Sequence, residues 1–156
     1  MKILNHLIRL LILSNIFLSC GQVEEFKDDK YEVGQIWEYE TRETESASTF
    51  IIVALQNHNN LGVIINVYVD GLKIKNPSIE AGISNVIQHL PFSKQAIEMS
   101  VTKLRGKREQ LPDYQEGYKE WKTAFESGDA GVFTITVKEA IEAMEQTINQ
   151  GQKIKL

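Results

Sequence analysis

The residues best equipped for chemistry in this sequence lie in His89-Leu90-Pro91-Phe92-Ser93. An imidazole four residues ahead of a hydroxyl suggests a general base and a nucleophile. Pro91 between them, and Ser93 at the start of a helical pattern, favour a structural junction in which Ser93 caps the helix. His58 sits in Gln56-Asn57-His58-Asn59-Asn60, whose composition is that of a solvated hairpin loop. Trp37, Tyr39 and Arg42 form a second group: two aromatics and a guanidinium could line a ligand groove. A Trp and a Tyr on the inward face of a first strand serve as readily in a core. Glu38 and Glu40 alternate onto one strand face and could form an acid pair or a cation site, against the simpler reading of a solvated face. Lys103, Arg105, Lys107 and Arg108 make one basic cluster, placed by the helical pattern at a helix C-terminus, where the backbone dipole favours cations. No HExxH, CxxC or P-loop pattern occurs, so neither a metal site nor a cofactor is expected.

The one cysteine, Cys20, closes an N-terminal segment of distinct character, MKILNHLIRLLILSNIFLSC. Lys2 and Arg9 supply positive charge ahead of an apolar core from Leu10 to Leu18, interrupted by Ser14 and Asn15. That core is shorter than the ~20 residues a membrane-spanning helix needs but suits a secretory signal. Phe17-Leu18-Ser19-Cys20, followed by Gly21, resembles the lipobox of bacterial lipoproteins, with Phe17 where the usual pattern has Leu. The resemblance implies cleavage before Cys20, a diacylglyceryl group on its thiol and an acylated new N-terminus. Two or three acyl chains, at about 0.8 kcal/mol per buried methylene, make a durable anchor. Residues 1–19 are then a signal peptide, and Gly21, rather than Asp, resembles the pattern of sorting to an outer membrane where the organism has one.

The whole chain carries 17 basic and 21 acidic side chains, a net charge of −4. Removing residues 1–19, which hold two bases and no acid, leaves 15 against 21, a net of −6. Such a chain is a poor partner for nucleic acid, which calls for a basic face, and gains nothing from anionic headgroups. Membrane attachment is expected through the lipid on Cys20 alone, with an envelope protein as the possible further partner.

Candidate sites need elements to position them. Residues 20–32 read as the lipidated Cys and a polar tether, and residues 33–150 as a single globular domain starting near Tyr31 or Val33. Up to residue 90 the period is that of strands: Val33 to Thr41, a run buried on both faces from Thr49 to Leu55, and Leu61 to Val69. Asp70-Gly71 predicts a tight hairpin into Leu72–Lys75, and Ile83–Leu90 a further strand. Beyond residue 90 the period turns helical. One helix runs from Ser93 to Gly106, with Ala96, Ile97, Val101 and Leu104 on one face. A second starts at Asp113, with Glu116 at capping-box spacing and an aromatic row at Tyr114, Tyr118, Trp121 and Phe125. Gly117 weakens it and Gly128 closes it. A third starts at Thr136, with Glu139 in the matching box and Val137, Ala140, Ile141 and Met144 on its buried face. The fold class expected is α+β: an antiparallel sheet of four to five strands followed by three helices packed on it.

Gly34-Gln35-Ile36-Trp37 with Thr41-Arg42, then Leu72 to Pro77, then His89 to Ser93, is similar to a group of small bacterial proteins over residues 33–149. That group implies a bacterial origin and no activity. The expected function is therefore a lipid-anchored, non-enzymatic binding or structural module of the envelope. The alternatives are a small envelope hydrolase using His89 and acids of the first strand, and an immunity- or inhibitor-type protein.

Overall fold

In the computed structural model, which describes residues 26–150, seven strands and three helices form an α+β fold. The strands are β1 (Gln35–Tyr39), β2 (Thr49–His58), β3 (Gly62–Asp70), β4 (Ile74–Lys75), β5 (Ile83–Ser84), β6 (Ile87–Ser93) and β7 (Val101–Lys107). The helices are α1 (Lys94–Ser100), α2 (Gln115–Glu126) and α3 (Val137–Asn149). Five strands make one antiparallel sheet in the order β6-β3-β2-β1-β7, and β4 and β5 pair separately.

Several sequence expectations change. The helix expected from Ser93 to Gly106 stops at Ser100, and its second half is β7. Ser100 ends it: its Oγ donates to the Ala96 carbonyl at 2.6 Å and accepts the Val137 amide at 2.9 Å. The chain that follows pairs with the open side of β1, from Tyr39↔Val101 to Gln35↔Lys107. Asp70-Gly71 makes no hairpin with Leu72–Lys75. Gly71 has the positive φ of a turn, 70°, but the chain leaves the sheet there, and β4 pairs with β5 instead. This ribbon buries Leu72 and Ile74 in the main core. Finally, β2 runs through His58, so the loop is shorter than its composition suggested and His58 belongs to the strand.

The signals on α3 act as read. Thr136 accepts the Glu139 amide, Glu139 reaches back to the Thr136 amide, and Val137, Ala140, Ile141 and Met144 are buried. Ser93 caps α1 by accepting the Ala96 amide at 3.2 Å. On α2 the Asp113 box does not form; Tyr114 is the cap residue, without a side-chain bond. The far end closes at Gly128 as expected, with the Asp129 amide on Ala124 O and the Gly128 amide on Phe125 O.

The sheet has two covered faces. On the first, Trp37, Tyr39, Phe50, Ile52, Val67 and Leu90 pack with α1 and α3 in one continuous core. On the second, α2 lies against β6. Packing also starts earlier than composition suggested. Tyr31 is fully buried with its ring 5.6 Å from that of Trp37, and Asp28 pairs with Lys94 at 2.7 Å. Lys94, with the Lys30 and Tyr31 amides, outweighs burial and holds the Asp28 carboxyl down at about 2. The polar stretch before Val33 is therefore part of the domain from Asp28 onward.

Candidate functional site

His89 faces away from the main core because Leu90 and Phe92, its neighbours on β6, point into it. The imidazole instead meets α2. Its ring centroid lies 5.4 Å from that of Tyr118, edge-on, and 5.3 Å from that of Trp121. Gly117 makes this approach possible: a Cβ there would stand 3.2 Å from the His89 Cβ. The glycine that weakened the helix in sequence is the one that faces His89 of β6 at this close approach.

The polar partners of His89 are few. Its Nε2 lies 2.9 Å from Asn66 Oδ1, which makes Nε2–H the donor and fixes that tautomer. Asn66 is buried and donates in turn to the Ala54 carbonyl at 3.4 Å. The Nδ1 atom is buried with no partner among the described residues. Burial alone pushes the imidazole down to about 4, so it is neutral at physiological pH. Ser93, the hydroxyl paired with it in sequence, is spent on the α1 cap. His89 lies on β6 and Ser93 ends that strand and caps α1, so the two residues stand at a strand-to-helix junction.

The sign of the pH effect follows from that depression. The unfolded imidazole binds its proton near pH 6.5 and the folded one only near 4, so His89 costs stability as pH falls through that window. The loss approaches roughly 3 kcal/mol at its lower end. His89→Gln is expected to destabilise the protein at neutral pH and progressively less as pH drops from 6.5 to 4. Denaturant melts at several pH values read this directly, and a penalty constant across the window would contradict it.

Trp37 and Tyr39 pack in the main core, while Arg42 lies in the connection after β1 and is held by carboxylates. Trp37 is 9% exposed and donates through Nε1 to Gln35 Oε1 at 3.0 Å. The Tyr39 hydroxyl lies 2.7 Å from Ser48 Oγ, and burial pushes the phenol up to about 12. The Arg42 guanidinium bonds both Glu45 oxygens and Glu145 of α3, and these bonds raise its already high pKa. The side chain of Glu45 is wholly buried, and it also accepts the Lys73 amide; Glu145 accepts the Lys75 amide at 2.6 Å. Sequence reasoning missed both acids as partners of Arg42. One was legible, since Glu45 stands three residues on; the other is 103 residues away. Together they clamp the β4 ribbon to α3.

Glu38 and Glu40 do not form a pair. Glu38 meets Arg105 at 2.6 Å and Glu40 meets Lys138 of α3 at 3.2 Å. No group of three or more His, Cys, Asp or Glu side chains that could hold a metal is present among the described residues. No helix there is long and apolar enough to cross a membrane. Cys20 lies outside the described residues.

The basic cluster is the position whose account changes most. Lys103, Arg105 and Lys107 lie on β7, an edge strand, with Arg108 just beyond it. They do not stand at a helix C-terminus, so no helix dipole accounts for the cluster. No known protein family, curated protein or solved structure matches this chain.

Proposed function

We propose that this protein is a lipid-anchored component of the bacterial envelope that acts as a binding or structural module. The anchor rests on the lipobox-like Phe17-Leu18-Ser19-Cys20, followed by Gly21, at the end of a signal-like segment. The non-enzymatic part rests on one observation: the side chains best suited to chemistry are turned inward and bonded to the fold. His89 is 5% exposed with its Nε2 held by Asn66, and Arg42 is held by two carboxylates. A general base needs an open approach to its substrate, and His89 has an aromatic wall in that place.

Two measurements test this. The mature protein extracted in detergent is expected to begin at Cys20 and to exceed the mass of polypeptide 20–156 by a diacylglyceryl group or more. Cys20→Ala is expected to leave an uncleaved precursor, and an unmodified mass starting elsewhere removes the anchor. For catalysis the discriminating variant is again His89→Gln. Biological activity falling only in step with folded protein supports the module. A normally folded but inactive variant would restore the hydrolase reading.

A further inference from the structure

We infer that β7 is a docking edge for an extended acidic segment of a partner protein, a statement that rests on the binding-module reading and names its partner class. The two edges of the sheet are treated differently by the fold. Along β6 the chain covers its own edge: Phe92 and Phe133 form a parallel bridge, with the Ser93 amide on Phe133 O and the Phe133 amide on Pro91 O, both at 2.9 Å. Along β7 no strand lies outside, so its outer side is open among the described residues.

The charge on that edge is the second observation. In a chain of net charge −4, residues 103–108 hold four bases and no acid. Two of them are ion-paired, Arg105 to Glu38 and Lys107 to Glu32, both at 2.6 Å, with all four side chains between 32% and 60% exposed. Exposed pairs of this kind contribute little and exchange readily for another carboxylate. The side chains of Lys103 and Arg108 have no partner among the described residues. Leu104 lies between them, 44% exposed, as an apolar contact.

Basic residues and bulges are also how proteins keep an edge from pairing with itself, and β7 has two register shifts against β1. That bears on the choice of occupant. A second copy laid edge to edge would set like charges opposite one another, which is unfavourable. An acidic strand meets the same row with complementary charge, and needs only a short ladder because the carboxylates supply specificity and rate.

The test uses the full chain in nonionic detergent and a fluorescein-labelled decapeptide of alternating Glu and Val, followed by anisotropy. Saturable binding is expected, weakening about tenfold from low to high salt. Lys103→Glu with Arg108→Glu is expected to lower affinity about tenfold or more without changing the melt, since neither side chain is bonded to the fold. Should the reversal disturb folding, K103A/R108A carries the same test. Equal binding of a Gln–Val peptide, or an equal loss from Lys119→Glu with Lys122→Glu on α2, would overturn the inference. Displacement by phosphatidylglycerol at matched charge would overturn it too, because the edge would then be reading a lipid surface. Absent peptide binding with the Cys20 mass shift intact refutes the docking edge and leaves the anchored module standing; an absent mass shift refutes the anchor alone.

Discussion

Trp121→Ala is expected to cost about 3–5 kcal/mol of folding stability, as large-to-small changes at buried aromatics do. Trp121 is 3% exposed and sits at the centre of the layer between α2 and the sheet. Its ring stacks on Phe125 at 4.9 Å, lies 5.3 Å from His89 and 6.0 Å from Tyr118, and its Nε1 donates to Gly131 O at 2.9 Å. Truncation removes all four interactions and leaves a cavity that the backbone of β6 cannot fill. Trp121→Phe, which keeps a ring but abandons the Gly131 carbonyl, is expected to lose about 1–3 kcal/mol. Urea titration of both variants measures the difference. A loss under about 1 kcal/mol for the alanine variant would show α2 held mainly by other contacts and would free its aromatic row to act as a partner surface.

That row also shows what was legible in the sequence. Spacing alone placed Tyr114, Tyr118, Trp121 and Phe125 on one helix face, and the short-range signals at Thr136, Ser93 and Gly128 operate where they were read, because each is a contact between residues three to five apart. The purpose of Gly117 was not legible, since the His89 Cβ it accommodates belongs to β6. The same reason hid the fate of residues 101–107. Val101 and Leu104 continue a helical face from Ala96 and Ile97, yet the open side of β1 captures that stretch as a strand once Ser100 has turned its hydroxyl to two backbone groups. Gly71 misled in the opposite way. The local turn is present, but Leu72 and Ile74 gain more by entering the main core than by pairing with β3. Local contacts were readable, and the choice between two competing burials was not.

The candidate site divides along the same line. Trp37 and Tyr39 were placed correctly as inward residues by alternation. Arg42 could not be placed by alternation, because it lies in the connection after β1 and its position is set by two carboxylates. Arg42→Met is accordingly the second large expected effect, about 3–5 kcal/mol, because it leaves the fully buried Glu45 carboxylate without its counter-ion. The Lys73 amide that Glu45 still accepts is a weaker partner than a guanidinium, and Glu145 loses its cation as well. Loosening should begin in the β4 ribbon, where the Lys73 and Lys75 amides hang on these two acids. Hydrogen exchange at those amides is expected to rise before global unfolding does. The double variant Arg42→Met/Glu45→Gln should recover a substantial part of the loss, since its amide carbonyl can still accept from Lys73 and the wholly buried charge at position 45 is gone. Comparing the three proteins by denaturant melt isolates the stranded charge from the lost packing. If the double variant is no more stable than Arg42→Met, the penalty is one of shape, and the clamp between the ribbon and α3 is not electrostatic.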